Sequence, residues 1–125
     1  PTPQRFAMVR DTLDEARTEA PIDGVFATDD LAAAEVLEWA RTRNLAVPTD
    51  LSIIGFDGTE TMRRALPHLA TIRQPIEDIA RAAVSILLDQ IEGKASRSLS
   101  DEAGAHPAQT VEFSGTLIPG RSINA

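Results

Sequence analysis

The sequence predicts an α/β fold in which helices cover a parallel, doubly wound sheet. Two observations support this class. Residues 51–54 form a short apolar run that Pro48 precedes and Gly55 follows, which is typical of a buried parallel strand. Strand-like and helix-like segments also alternate along the 125 residues, as they do in parallel sheets with helical connections. A chain of this length has room for one domain of common size.

Apolar residues that recur at spacings of three and four place the helices. Helices are predicted over residues 3–20, 31–43, 59–65 and 75–91, the last with Pro75 at its first position. Pro21 ends the first of them. Asn44 is expected to end the second by adopting a left-handed backbone conformation. Strands are predicted over residues 24–27, 51–57, 69–73, 109–113 and 115–118, and residues 94–108 are expected to form a mobile loop.

The charge and the amino-acid composition exclude several classes of function. The net charge is −7 and Lys94 is the only lysine, so we expect no direct binding of this segment to nucleic acid. No apolar run approaches the ~20 residues that span a bilayer, and a membrane is therefore not an expected partner. The chain lacks cysteine, which fits a cytoplasmic protein. It begins at Pro1 without an initiator methionine, and we expect it to be part of a longer protein.

Carboxylates follow two of the predicted strands. Thr28, Asp29 and Asp30 come directly after the strand at 24–27, and Asp57 ends the strand at 51–57. Ligands of open parallel sheets bind beyond the carboxyl ends of the strands, so this edge is the candidate site. Each carboxylate also has a purely structural interpretation. Asp30 or Asp29 is placed to cap the next helix, with Asp30 the more natural choice, and Asp57 before Gly58 suits a turn.

Two kinds of chemistry suit a pair of carboxylates across a cleft. They accept hydrogen bonds from the hydroxyl groups of a sugar or a nucleoside, or they hold Mg²⁺ for phosphoryl transfer. Nothing in the sequence indicates a catalytic residue, a cofactor motif or metal-ligand spacing. His68 and His106 both adjoin turns that contain proline, where a loop or surface role is the expected one. The chain is not expected to be an enzyme.

Three longer stretches resemble the lactose/galactose repressor (LacI/GalR-type) family of transcriptional regulators. They are residues 22–33 (IDGVFATDDLAA), residues 47–57 (VPTDLSIIGFD) and residues 69–75 (LATIRQP), in the order and spacing of that family. The final strand, from Gly115 to Ser122, is similar to the closing strand of the family. The resemblance extends from about Phe6 to Ser122.

The resemblance implies a periplasmic-binding-protein-like type I fold, of which this chain is one part. Residues 1–73 would belong to the C-terminal subdomain, and residues 74–125 would return with the last helix and strand of the N-terminal subdomain. The DNA-binding headpiece is absent from this chain. The implied function is effector binding and dimerisation in a transcriptional regulator, with a sugar or a nucleoside-like effector and with operator DNA bound only through the missing headpiece.

By matching positions, the resemblance implies that Asp29 and Asp57 face the effector, with Thr28 and Phe56 near it. Asp29 replaces the commoner Asn of the family, so when ionised it accepts hydrogen bonds and donates none. Two alternatives remain open at this stage. One is a solute-binding protein of a sugar transporter, and the other is a Mg²⁺-dependent phosphoryl-transfer domain that uses Asp29, Asp30 and Asp57.

Overall fold

A computed structural model describes residues 3–92 and 110–124, without the side chain of Arg5. Eight elements follow one another along these residues: α1 (Pro3–Glu19), β1 (Gly24–Phe26), α2 (Asp30–Thr42), β2 (Ser52–Asp57), α3 (Glu60–Ala65), β3 (Ala70–Arg73), α4 (Ile76–Ile91) and β4 (Thr116–Ile118). The predicted helices and the first three predicted strands are confirmed to within a few residues. None of the helices that the structure describes has the length and apolar character needed to cross a membrane.

The four strands form one sheet in the order β1-β2-β3-β4. β1 pairs with β2 and β2 with β3 in parallel, with Val25 opposite Ile53 and Phe56 opposite Ile72. β4 runs antiparallel to β3, with Leu117 opposite Ile72. The predicted α/β class is confirmed and parallel pairings dominate the sheet, but among the described strands β4 adds an antiparallel pairing to the parallel sheet that was predicted.

One predicted strand is absent from the structure. Residues 110–113 have no regular structure, although Val111 and Phe113 alternate with polar residues. Among the described residues no strand lies beside them, and an extended segment without a neighbour leaves its backbone groups without ladder hydrogen bonds. Gln109 and the loop predicted at residues 94–108 lie outside the described residues.

The described residues divide into two compact units. The first lies within Pro1–Gln74 and Gly115–Ala125, and the second within Pro75–Ser114. The core of the first unit is built around Trp39, Leu51 and Ile53, all fully buried between α2 and the sheet. Side chains of α1, among them Phe6 and Leu13, pack against this core. The helices α1 and α2 and the strands β1 and β2 therefore contribute to one hydrophobic core.

A polar contact holds α1 on α2. Asp14 accepts hydrogen bonds from Nε1 of Trp39 at 2.9 Å and from Nε of Arg43 at 2.9 Å, and Nη2 of Arg43 also pairs with it. The guanidinium of Arg17 lies 5.7 Å from the centroid of the Trp39 ring. The hydrogen bond from Arg43, followed by that from Trp39, lowers the pKa of Asp14.

The second unit contains α4, whose apolar stripe is present as predicted. Its large side chains are exposed, with Ile91 the most exposed at 71%. Ile79 and Ile86 are half-buried, and no residue of the helix is fully buried. Pro75 is the N-cap residue and not the first helical residue, one position from the expectation.

Candidate functional site

The carboxyl ends of β1 and β2 bring the predicted carboxylates to the same edge of the sheet. The two strands are neighbours and run in parallel, so the residues that follow them emerge on one side. Thr28 and Asp29 follow β1, and Asp57 is the last residue of β2. A hydrogen bond from the backbone N–H of Gly58 to Oδ2 of Asp30, at 2.9 Å, joins the two connections directly.

Asp29, and not Asp30, caps α2. Its backbone is extended, with φ of −154°, and its Oδ1 accepts a hydrogen bond from the N–H of Ala32 at 2.6 Å. This is the geometry of an N-cap residue, which satisfies one of the unpaired N–H groups of the first turn. The expectation that Asp30 is the cap and Asp29 the spare carboxylate was therefore wrong in its assignment. Asp29 remains half-buried at the edge of the sheet.

Asp30 is buried and connects three elements. It is 2% exposed, and besides the N–H of Gly58 it accepts a hydrogen bond from Oγ1 of Thr71 at 2.5 Å. α2, the connection after β2, and β3 are thus joined through one side chain. Both oxygens of Asp30 are engaged inside the protein, which suits a structural role at the base of the site.

Gly55 makes room for this carboxylate. A Cβ atom at position 55 would overlap Oδ1 of Asp30 and would lie 3.1 Å from Cδ2 of Leu69. Thr71 stands opposite Gly55 on β3, so the hydroxyl that binds Asp30 lies beside the glycine. The small residue in the middle of β2 is therefore required by a close approach between helix and sheet.

Asp57 has an unusual backbone and a fixed side chain. Its φ is +100°, a conformation that side chains with a Cβ rarely adopt, and Gly58 follows with φ of +61°. Oδ1 of Asp57 accepts a hydrogen bond from Nε2 of Gln74 at 2.6 Å, and its carbonyl oxygen accepts one from the N–H of Gln74 at 3.2 Å. Strained residues of this kind cluster at ligand sites.

Aromatic side chains lie on the sheet next to this edge. Phe56 is half-buried, and its ring meets that of Phe26 edge to face, with the centroids 6.2 Å apart. Phe26 itself is 62% exposed. Thr28 is exposed where β1 ends. Of the four residues singled out from the sequence, Thr28 and Asp29 therefore lie in the connection after β1, and Phe56 and Asp57 lie on β2.

Sequence reasoning did not identify Gln74 as a contributor to this edge, and it named Asp30 only as a helix cap or a metal ligand. Gln74 orients Asp57, and Asp30 joins the two connections and β3. The stretch that ends in Arg73, Gln74 and Pro75 was noted only as part of a resemblance, which does not specify a contact. An acid directly after the cap of a helix, with a glycine in the middle of the next strand, is the signal that would have indicated the buried carboxylate.

The edge is rich in hydrogen-bond acceptors. Asp29 and Asp57 supply carboxylate oxygens, and Thr28 adds a hydroxyl group. No group of three or more His, Cys, Asp or Glu side chains in the described part of the chain is arranged to hold a metal ion. Such an edge is suited to ligands with several hydroxyl or amine donors, because ionised carboxylates only accept.

Comparison with known proteins defines the class to which this fold and site belong. The model of the periplasmic binding protein-like domain matches residues 2–123, and the chain belongs to that family. The predicted resemblance to the lactose/galactose repressor family is confirmed by the relatives. The sucrose operon repressor of Streptococcus mutans is 44% identical over 70 residues, which are 56% of this chain and 22% of the repressor.

Solved structures of regulators have the same fold. The transcriptional regulator CelR in complex with cellobiose superimposes with a TM-score of 0.72 at 27% identity, over 94% of this chain and 32% of CelR. A LacI family transcriptional regulator from Arthrobacter sp. FB24, in complex with lactose, gives a TM-score of 0.68 at 26% identity, over 96% of this chain and 40% of the regulator. The chain therefore spans between about a fifth and two fifths of the length of these proteins.

Proposed function

We propose that the chain is the later part of the effector-binding and dimerisation region of a DNA-binding transcriptional regulator. The observation that supports this most directly is the edge where Asp29 and Asp57 emerge from neighbouring parallel strands. The Asp30 to Gly58 hydrogen bond ties the two connections and preorganises that edge. Family membership and the names of the relatives, which are repressors, point to the same role.

The proposed effector is a sugar or a nucleoside-like molecule. Asp29 and Asp57 would accept hydrogen bonds from its hydroxyl groups, with Thr28 and Phe56 beside them. Gln74 supports this role for Asp57 because it holds one carboxylate oxygen and leaves the side chain in a defined orientation. Sugars are also the ligands of two structurally similar regulators, which were solved with cellobiose and with lactose.

The proposal includes the division of the chain between two subdomains. Residues 1–73 would belong to the C-terminal subdomain and α4 would return to the N-terminal one. The last strand, β4, was expected to go with α4, whereas it pairs with β3 in the sheet of the first segment. An N-terminal headpiece outside this chain would bind the operator. A cytoplasmic location and the absence of catalysis are part of the same proposal.

Homodimerisation is proposed for the intact regulator. It rests on the resemblance to the lactose/galactose repressor family, whose members dimerise through this domain. The exposed apolar side chains of α4, which include Val84, Leu87 and Ile91, would favour association of the isolated chain instead. In the dimer of the intact regulator, the effector would bind one conformation better and shift the population that binds DNA.

A solute-binding protein of a sugar transporter is the alternative with the same fold. The regulator is favoured because similar proteins are operon repressors and transcriptional regulators. The phosphoryl-transfer alternative is disfavoured by the geometry. It requires Asp30 as a metal ligand, whereas both oxygens of Asp30 accept hydrogen bonds from buried groups.

The test is a thermal-shift panel of mono- and disaccharides and nucleosides on the full-length regulator. An effector is expected to raise Tm in the unaltered protein, and Asp57→Asn is expected to reduce that shift strongly. Asp23→Asn is the matched control, because Asp23 is exposed and precedes β1 at the opposite edge. An effector that raises Tm equally in Asp57→Asn and in Asp23→Asn would refute the proposed site. A panel in which no sugar or nucleoside raises Tm would refute the proposed function.

A further inference from the structure

The sequence contains the dipeptide Asp-Gly twice, and the structure places the two copies in opposite environments. Asp23 and Gly24 lie where the chain enters β1, and Asp57 and Gly58 lie where β2 ends. The first two residues are exposed, whereas Asp57 is half-buried and Gly58 is buried. Since β1 and β2 are parallel neighbours, the first copy is at the amino edge of the sheet and the second is at the carboxyl edge.

An aspartate that precedes a glycine is prone to isomerise. The backbone nitrogen of the glycine attacks the side-chain carboxyl carbon of the aspartate, and a C–N bond forms. The hydroxyl group of the protonated carboxyl leaves with the N–H proton as water, which gives a five-membered succinimide. Water then opens the ring at either carbonyl carbon and yields aspartate or isoaspartate. Water is lost and regained, so no other reactant is needed. Glycine favours the attack because it lacks a Cβ and has a permissive backbone.

The N–H group of Gly24 points away from the neighbouring strand. The N–H of Ser52 donates to the carbonyl oxygen of Asp23 at 2.9 Å, and the N–H of Ala27 donates to that of Ile54 at 2.9 Å. In a parallel ladder the backbone groups of alternate residues face the same neighbour, so the odd-numbered residues of this segment bond to β2. β1 is also the end strand of the sheet that the described residues form. The attacking nitrogen is therefore outside the ladder with β2.

The side chain of Asp23 is unrestrained and has space around it. Within the described part of the chain, no hydrogen bond or ion pair holds its carboxylate. A Cβ atom at Gly24 would lie 3.6 Å from its nearest neighbour, the carbonyl oxygen of Ser52, which is an ordinary contact. The carboxyl group of Asp23 is thus free to rotate toward the nitrogen of Gly24.

The second copy is held in a way that opposes the same reaction. The N–H of Gly58 donates to Oδ2 of Asp30 at 2.9 Å, so its nitrogen must give up this bond before it attacks. Oδ1 of Asp57 accepts a hydrogen bond from Nε2 of Gln74 at 2.6 Å, which restrains rotation of the carboxyl group. A Cβ atom at Gly58 would lie only 2.8 Å from Cα of Arg73, which leaves little space beside the glycine. The reaction here requires local opening of the structure.

We propose that Asp23 is a site of spontaneous conversion to isoaspartate, and that Asp30 and Gln74 protect Asp57 from the same reaction. Isoaspartate at position 23 would expose a free α-carboxylate, the group that isoaspartyl carboxyl methyltransferases recognise. It would also add a methylene group to the main chain where Ser52 now donates its hydrogen bond. This modification site does not depend on the effector proposed above.

Peptide mapping by mass spectrometry, during incubation of the folded chain at near-neutral pH, tests the proposal. Electron-transfer fragmentation distinguishes isoaspartate from aspartate, which has the same mass. We expect isoaspartate to accumulate at Asp23 at least about tenfold faster than at Asp57, because the second reaction must first break a hydrogen bond to a charged group. Equal rates at the two positions, or a faster rate at Asp57, would overturn the proposal.

The same incubation in urea separates the effect of the fold from that of the sequence. Both copies are then flexible dipeptides without their partners, and we expect their rates to agree to within about twofold. Loss of the signal of buried Trp39 verifies that the chain is unfolded. A tenfold difference that persists in urea would show that neighbouring residues set the rates, and it would overturn the assigned protection.

Two variants test the two positions separately. Gly24→Ala adds a methyl group beside the attacking nitrogen and is expected to slow the reaction at Asp23 about tenfold while leaving Asp57 unchanged. Gln74→Ala frees the carboxylate of Asp57 and is expected to speed the reaction there about tenfold while leaving Asp23 unchanged. Trp39 fluorescence reports that each variant is folded. A rate at Asp23 that Gly24→Ala does not lower, or a rate at Asp57 that Gln74→Ala does not raise, would overturn the proposal.

Discussion

Gln74 donates a hydrogen bond from Nε2 to Oδ1 of Asp57 across 2.6 Å, and so the residue that follows β3 orients the carboxylate at the end of β2. The backbone N–H of Gln74 also donates to the carbonyl oxygen of Asp57. These two bonds hold Asp57 at a φ of +100°, which a residue with a Cβ adopts only under constraint. The carboxylate of Asp57, which we propose binds the effector, is thus held in a fixed orientation at a cost in backbone strain.

The strain at Asp57 predicts that variants with alanine and with glycine at this position differ in their free energy of unfolding. Asp57→Ala removes the hydrogen bond to Gln74 and keeps the strain, so we expect it to lower the free energy of unfolding by about 1–2 kcal/mol. Asp57→Gly also removes the bond but relieves the strain, and it is expected to be about 1 kcal/mol more stable than the alanine variant. Urea denaturation followed by Trp39 fluorescence measures both. Equal stabilities would show that position 57 is unstrained.

The buried carboxylate of Asp30 predicts a large loss of stability on truncation. Asp30→Ala leaves the N–H of Gly58 and the hydroxyl group of Thr71 buried without their acceptor, and we expect a loss of about 2–4 kcal/mol. Thr71→Val removes one donor only and is expected to lose about 1 kcal/mol. The double variant should lose less free energy of unfolding than the sum of the two single losses, because both substitutions remove the same hydrogen bond between Asp30 and Thr71. Simple additivity would contradict the Asp30 to Thr71 contact.

The close approach at Gly55 predicts a steric penalty that another strand glycine does not share. In Gly55→Ala the new methyl group would overlap the Asp30 carboxylate, so a loss of about 1–3 kcal/mol in the free energy of unfolding is expected. Gly24→Ala in β1 is the matched control, since its Cβ would lie 3.6 Å from the nearest atom, the carbonyl oxygen of Ser52. That variant is expected to change stability little. Similar losses in both would mean that α2 can move away from β2.

The Asp14 contact predicts a stability contribution that disappears in acid. Hydrogen bonds from Arg43 and then from Trp39 lower the pKa of Asp14 below its ordinary value of 3.8. A carboxylate with a lowered pKa in the folded state stabilises the protein above the pKa of the unfolded state, and the contribution is lost as the pH falls through the folded pKa. We therefore expect Asp14→Asn to be less stable than the unaltered chain at pH 7, with a difference that narrows below pH 3.8.

Arg43→Gln provides the matching control for that pH dependence. It removes the largest cause of the lowered pKa of Asp14. The part of the unfolding free energy that Asp14 contributes at pH 7 and loses in acid is therefore expected to be smaller in this variant. Adding Arg43→Gln to Asp14→Asn should then have little further effect on the pH profile. Urea denaturation between pH 2.5 and pH 7 measures the profiles. Parallel profiles for Asp14→Asn and the unaltered chain would refute the role of Asp14.

The isolated chain is predicted to bind sugars weakly or not at all. It supplies the edge formed by Asp29 and Asp57, whereas family members enclose their effector between two subdomains, and one wall buries only part of a ligand. Calorimetric titration of the chain with the sugar that the full-length regulator binds measures this. Micromolar affinity for the chain alone would contradict the prediction.

The sequence by itself determined the order of the elements and the edge at which the candidate site lies. The spacing of apolar residues identifies α2 and α4, the short run before Gly55 identifies β2, and Asn44 ends α2 with the expected positive φ. These features depend on residues close together in the chain, which periodicity and capping preferences describe directly. Asp29 and Asp57 follow or end two such strands, and parallel pairing brings both residues to one edge, as the sequence predicts.

Only the tertiary structure decided which contacts those residues make. It shows that Asp29 caps α2 while Asp30 is buried against β3, that Gln74 orients Asp57, and that β4 pairs antiparallel with β3. Each of these depends on which strands become neighbours. That choice is made by packing around a shared core, and no local pattern of residues records it.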